Sequence, residues 1–336
     1  MKRRAILKVV LVGLLVVSFV LPAGVSAQSR SRRGGLYGDW RIKMQFGENE
    51  WESILAFSRN QEGQYMGQWI SLFGVSELKD VKFEDNKLSF TQVMPFGDQE
   101  RTSKFTGTIE QGELSGLLIG QERETEIKGK RVPRMSRAVG SWDMKITIGE
   151  RERTGILTIT ADKEGNLQGM WKSERGESKL SDVKYQDRKL TFTRVIEREG
   201  NRMELTFEGT VGYTSLEGAY KSDRGEVPAK ATRVGALVIG TWNLDIESER
   251  RSYKQRLRVN RDLSALYGSQ LIKKINLDGD KVSFKYTLQF GDQQFDVSFE
   301  GKIAESKLTG ELKTSRGTSK VMGTRRQFRR PGSSQS

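Results

Sequence analysis

The chain has 336 residues, with 57 Lys+Arg against 43 Asp+Glu for a formal charge of +14, and it has neither histidine nor cysteine. Zinc fingers, Ser-His-Asp triads, Cys-His nucleophiles, His- or Cys-ligated haem and disulfide frameworks are therefore excluded. What remains for chemistry is carboxylates, hydroxyls, Lys, Arg and Tyr, and no motif among them calls for a cofactor or metal.

Residues 1–27 read as a signal peptide. Met1-Lys2-Arg3-Arg4 is a basic start, Ala5 to Leu21 is apolar apart from Lys8 and Ser18, and Val25-Ser26-Ala27 supplies the small residues of a cleavage site. The alternative, an uncleaved anchor, meets Pro22 and Gly24 within the apolar run. Export to a periplasm or outside the cell is expected. Residues 28–37 and 326–336 read as flexible basic segments rich in Ser, Arg and Gly. Ten of the net positive charges fall in the signal and these two ends, leaving the centre of the chain nearly balanced.

That centre is a threefold repeat. Gly38-Asp39-Trp40, Gly140-Ser141-Trp142 and Gly240-Thr241-Trp242 open copies spanning 38–133, 140–233 and 240–325. Leu55, Leu157 and Leu257 follow, then Gly67, Gly169 and Gly268. Leu78 to Phe83 corresponds to Leu180 to Tyr185 and, more loosely, to Ile272 to Leu277. Phe105-Thr106-Gly107 matches Phe207-Glu208-Gly209 and Phe299-Glu300-Gly301, and Leu114-Ser115-Gly116 matches Leu216-Glu217-Gly218 and Leu308-Thr309-Gly310. Each copy ends on an arginine: Arg131, Arg233 and Arg325. The third copy is shorter, and the loss falls before the Val282 strand. Counted from the opening tryptophan, Trp69 and Trp171 have Leu271 as their counterpart.

Within a copy the hydrophobic period is two. Met203, Leu205 and Phe207 alternate with Glu204, Thr206 and Glu208, and turn signals such as Lys163-Glu164-Gly165-Asn166 and Asp278-Gly279-Asp280 separate the runs. Roughly eight short strands per copy, at about twelve residues each, is meander spacing. The expected fold is all-β, three tandem antiparallel up-and-down barrels, with a β-sandwich as the alternative. The joints at 132–139 and 234–239 are short, so a semi-rigid row of domains is expected.

A Gly-x-Trp on the first strand and an Arg on the last resembles the lipocalin and calycin barrels, and the wider pattern is similar to small lipocalin-like domains of secreted bacterial proteins. That resemblance implies that Arg131, Arg233 and Arg325 cover Trp40, Trp142 and Trp242 as a lid over one barrel end. It also raises a ligand-holding cup, although these copies are shorter than ordinary lipocalins.

An eight-stranded barrel is either filled by its own side chains or holds one small ligand. Trp69 and Trp171 are the candidate mouth residues if a ligand binds; otherwise they are wall residues. Asp80 and Asp182 recur but give way to Lys274, which argues against a catalytic pair. Lys254, Arg256 and Arg258 alternate along one strand, either as an ordinary charged outer face or as a polyanion patch. Net charge runs from −4 through +1 to +5 across the three copies, so the last copy and its tail could meet an anionic envelope polymer or lipid surface, while specific nucleic-acid recognition is not expected. The expected function is a non-enzymatic, exported binding or envelope-associated protein. The alternatives are a carrier of a small lipophilic ligand and, more remotely, a carboxylate-based hydrolase.

Overall fold

A computed structural model describes residues 35–326, apart from 47–48, 97–98, 122, 199–200, 224, 250 and 291–292. The signal segment, residues 28–34 and the tail after 326 lie outside the described residues; of the expected flexible segment 28–37, Leu36 is instead fully buried in the repeat 1 core. Among the described residues there are 25 strands and no helix.

Repeat 1 contains β1 (Gly38–Phe46), β2 (Asn49–Arg59), β3 (Tyr65–Ser71), β4 (Gly74–Glu84), β5 (Lys87–Phe96), β6 (Gln99–Glu110), β7 (Glu113–Ile119) and β8 (Glu124–Arg131). Repeat 2 contains β9 (Gly140–Ile148), β10 (Arg151–Ala161), β11 (Leu167–Ser173), β12 (Gly176–Gln186), β13 (Lys189–Arg198), β14 (Asn201–Val211), β15 (Ser215–Ser222) and β16 (Gly225–Arg233). Each set is an antiparallel meander closed into a barrel. Closure falls on the repeat's two signature residues: Trp40 is the register partner of Arg131, and Trp142 of Arg233.

Repeat 3 contains β17 (Gly240–Glu247), β18 (Ser252–Val259), β19 (Ala265–Tyr267), β20 (Gln270–Ile272), β21 (Asn276–Asp278), β22 (Lys281–Phe290), β23 (Gln293–Ala304), β24 (Lys307–Thr314) and β25 (Gly317–Arg325). Trp242 again pairs with Arg325, but the sheet is an open one of nine strands that begins at β20 and ends at β21. These two short strands are the halves of the strand that is continuous as β4 and β12. There the register slips at Asp80 and Asp182, which adopt left-handed φ values of 54° and 52°. An L-residue pays about 1–2 kcal/mol for that conformation, and Asp, which can bond its own backbone, pays less. Repeat 3 has Lys274 at this position and no left-handed residue to carry the bulge, so the strand parts into two. The recurring aspartates are therefore backbone devices.

Two motifs meet in every core. Phe90 stacks on Phe105, Phe192 on Phe207 and Phe284 on Phe299, at centroid distances of 4.7, 4.7 and 4.9 Å. The second ring of each pair lies over two facing glycines: Gly107 with Gly116, Gly209 with Gly218, and Gly301 with Gly310. A Cβ on Gly107 or Gly116 would stand 2.6 Å from the Phe105 Cζ. This close approach explains both the Phe-x-Gly and the Leu-x-Gly patterns. Each repeat buries its own apolar cluster around this stack, and each fully buried Phe contributes about 1.5–3 kcal/mol.

The register also relocates two matches in repeat 3. Leu55 pairs with Trp69 and Leu157 with Trp171, whereas Leu257 pairs with Tyr267, so Tyr267 and not Leu271 is the third member of that set. Likewise Ala265, not Gly268, stands where Gly67 and Gly169 stand. Fourteen positions separate Leu55 from Trp69 but ten separate Leu257 from Tyr267; nine separate Trp69 from Leu78 but five separate Tyr267 from Ile272. The shortening is thus divided between two hairpins, which keep their turn lengths and lose two residues from each strand.

The repeats do not form a simple row. Repeats 2 and 3 meet at their lidded ends, where Tyr213 accepts a hydrogen bond from Arg233 Nε at its carbonyl and donates its hydroxyl to the Ile239 carbonyl (2.9 and 3.2 Å). Repeat 1 lies against β18 of repeat 3: Arg256 and Arg258 donate to the Asp39 carboxylate.

Candidate ligand-binding site

In all three copies the arginine that ends the last strand lies over the tryptophan of the first. The guanidinium carbon of Arg131 lies 4.5 Å from the Trp40 ring centroid, that of Arg233 3.8 Å from Trp142, and that of Arg325 5.7 Å from Trp242. Each indole N–H donates to the carbonyl four residues earlier, at Leu36, Ala138 and Val238. The arginines donate to carbonyls of the segment leading into the first strand, among them Tyr37, Val139 and Ile239. Trp40, Trp142 and Trp242 are fully buried at this end of each repeat. Burial, with Arg261 adding to it, brings the Arg233 pKa down to about 10, still far above neutral.

Trp69 and Trp171 are buried side chains, 5% and 2% exposed. Trp69 stands edge-on to Phe90, with 6.4 Å between centroids, and Trp171 lies beneath the Arg194 guanidinium at 4.6 Å. Both belong to the packed clusters of their repeats.

The place where a ligand could enter is the unlidded end of repeat 3. There a cavity of about 400 Å³ is walled by Tyr253, Tyr267, Tyr286, Phe295 and Leu312, and it extends to Leu72 and Phe73 of repeat 1. The shortened hairpin after β19 explains it. The turn has two residues in both repeats, Leu72-Phe73 and Gly268-Ser269, but in repeat 3 each flanking strand is two residues shorter, and repeat 1's own turn fills the vacated space. Gln255 Nε2 donates to the Ser71 and Leu72 carbonyls at 3.1 and 3.2 Å. Gly268 has a φ of +60°, and a Cβ there would lie 2.5 Å from the Ser71 carbonyl oxygen. Phe73 then leans on Trp51, with 5.6 Å between centroids, while remaining half-exposed.

Chemically the cavity is aromatic with a cationic rim. Tyr267 lies 5.6 Å from Tyr286 and 6.0 Å from Phe284, centroid to centroid. Arg251 covers the Tyr253 ring at 4.7 Å and Arg316 the Phe295 ring at 5.1 Å. The Tyr267 hydroxyl is buried beside the Tyr253 hydroxyl and makes no hydrogen bond of ordinary geometry. Burial pushes the Tyr267 and Tyr286 pKa values well above the ordinary phenol range, so both stay neutral donors. Among the described residues no carboxylate lines the cavity, and no cluster of acidic side chains is placed to hold a metal ion.

Sequence reasoning passed over this site. The signal available was the pair of shortened hairpins in repeat 3 and the aromatic series Tyr253, Tyr267 and Tyr286. Conversely, the alternating Lys254, Arg256 and Arg258 did not read as an interface. Arg256 is 3% exposed and faces Asp39, so this part of β18 is committed to repeat 1 and is not a polyanion surface.

No family model and no curated protein matches the sequence. Among solved structures the chain is similar to a protein of Bacteroides fragilis NCTC 9343 named as a candidate outer membrane protein, at 12% identity and a TM-score of 0.23, covering 56% of this chain and 98% of that one. It is also similar to transferrin binding protein B of Haemophilus parasuis Hp5 (10%, TM-score 0.20, 87% and 76% covered). The same protein of serogroup B Neisseria meningitidis gives 11% identity and a TM-score of 0.19, over 86% and 75%. At these scores none of them bears on the site.

Proposed function

We propose that this is a non-enzymatic, envelope-associated binding protein that holds a small, flat, largely apolar molecule in the mouth of repeat 3, beneath the Leu72–Phe73 tip of repeat 1. The observation that carries this reading is the aromatic cavity itself: about 400 Å³, built from two repeats and walled by tyrosine, phenylalanine and leucine. Small-molecule sites are of this kind, concave and mostly apolar with a few polar groups that orient the ligand. Tyr267 supplies a buried hydroxyl that makes no hydrogen bond of ordinary geometry, and Arg251 and Arg316 supply positive charge at the rim.

The test is titration of the full chain with an anilinonaphthalene sulfonate, an aromatic anion whose emission rises on leaving water. Saturable enhancement is expected, and Leu312→Trp, which adds an indole to the cavity, removes it. Enhancement of equal size and affinity in Leu312→Trp would place the probe elsewhere and overturn the reading.

A further inference from the structure

Repeat 2 carries two arginine–tryptophan stacks at opposite ends, and only one is chemically spent. Arg233, over Trp142, donates through Nε, Nη1 and Nη2 to the carbonyls of Tyr213, Val139 and Arg137. The second stack is Arg194 over Trp171. Trp171 is two residues from the β11–β12 turn, at the end away from the lid. Here three donors lack acceptors: Arg194 Nε, Trp171 Nε1 and Ser178 Oγ are buried atoms with no hydrogen-bond partner.

The register brings these groups to one place. Trp171 and Ser178 are direct cross-strand partners and share a face. Arg194 pairs with Leu205, and the next pair of the same parity toward the rim is Ile196 with Met203, both half-buried. Gly155 allows the arrangement: a Cβ on it would lie 2.2 Å from the Trp171 Cζ2, so the indole is seated against β10. Apart from Tyr220, no described group lends Arg194 favourable charge, and burial lowers its pKa.

Equivalent positions in the other repeats differ in chemistry but not in polarity: Gln92 in repeat 1 and Tyr286 in repeat 3. Gln92 is 1% exposed with neither amide atom bonded. An unpaired buried polar group costs about 1–3 kcal/mol. A barrel wanting only stability would carry leucine at this point.

We infer that the unlidded end of repeat 2 binds a small amphiphilic carboxylate, its oxyanion taken by Arg194 with Trp171 Nε1 and Ser178 Oγ, and its apolar body lying against Ile196 and Met203. Because the guanidinium face is stacked on the indole, its edge is what a ligand meets, and that edge matches the two oxygens of a carboxylate. The site is separate from the cavity of repeat 3.

The probe is benzoate, added to the full ¹⁵N-labelled chain while the Trp171 indole N–H resonance is followed, assigned by its loss in Trp171→Phe. Benzoate is expected to shift it saturably at millimolar concentration, and uncharged benzyl alcohol is not. Arg194→Gln installs the residue that repeat 1 already accommodates, and should weaken binding by about tenfold or more, as expected for the loss of a charge-assisted bond. Ser178→Ala, which removes one small donor, should weaken it less and serves if Arg194→Gln does not fold. An unmoved Trp171 resonance, equal affinity in both variants and the parent, or an equal response to inorganic sulfate overturns the proposal.

Discussion

Asp39 and Arg256 stand 217 residues apart in the sequence and form a bidentate ion pair across the boundary of repeats 1 and 3, with N···O distances of 3.3 and 2.9 Å. Their side chains are 12% and 4% exposed, and Arg258 donates to the same carboxylate. Removing one partner of such a pair leaves a buried charge without compensation, which costs about 3–5 kcal/mol. Asp39→Asn is therefore expected to lower the thermal unfolding midpoint of the full chain and expose the joint at 132–139 to protease. Adding Arg256→Met should recover much of the loss. If Asp39→Asn alone leaves both readouts unchanged, the pair does not hold the repeats together.

The same carboxylate makes the contact acid-sensitive. Burial by itself would raise the Asp39 pKa, but Arg256 and Arg258 outweigh it and hold the group below its ordinary value. A depressed carboxyl contributes stability above its unfolded pKa of about 3.9 and loses it as pH falls through the folded value. The stability difference between the parent and Asp39→Asn should hence be constant from neutral pH to about 5 and shrink below about 4. Denaturant unfolding along a pH series measures it, and a difference that persists undiminished at acid pH would contradict the assignment.

The three lids, alike in sequence, differ in depth. Arg233 is 3% exposed, spends three nitrogens on carbonyls and stacks at 3.8 Å, whereas Arg325 is half-exposed and stacks at 5.7 Å. Lysine keeps the charge but not the planar fork. Arg233→Lys should cost about 2–4 kcal/mol, given hydrogen bonds to charged groups near 1.5–3 kcal/mol each and partial replacement by the ammonium. Arg325→Lys should cost distinctly less. Calorimetry of the two variants decides; equal losses would mean that the stack and its bonds do not set the stability of the lid.

Much of this was legible in the chain because local rules repeat. The period of two predicted strands, and Gly-x-Trp with its distant Arg predicted the closing pair that joins β1 to β8, β9 to β16 and β17 to β25. What escaped was whatever depends on register across a shortened hairpin. Counting from Trp242 lands on Leu271, but four residues are missing before Tyr267, so only pairing with Leu257 identifies the equivalent residue. The cavity escaped for a related reason, since half its roof comes from Leu72 and Phe73, far away in the sequence. Arg256 looked like a surface residue because its counter-ion lies in another repeat, a relationship that no periodicity records.

Tyr267 offers a prediction of unusual sign. Its ring packs against Tyr286 and Phe284, contacts that phenylalanine would keep, while its hydroxyl is buried beside that of Tyr253 without a hydrogen bond of ordinary geometry. Deleting atoms from a core ordinarily destabilises. Here the hydroxyl was taken out of water without compensation, so Tyr267→Phe should stabilise the ligand-free protein by about 1 kcal/mol. If the hydroxyl serves a ligand, the same change should weaken binding of an aromatic probe carrying an acceptor, so that the variant gains stability empty and loses the increment that the probe confers on the parent. Thermal unfolding with and without the anilinonaphthalene probe separates the two effects. A variant less stable than the parent when empty would show that the Tyr267 hydroxyl is satisfied in solution, and the argument for it as a waiting donor would fall.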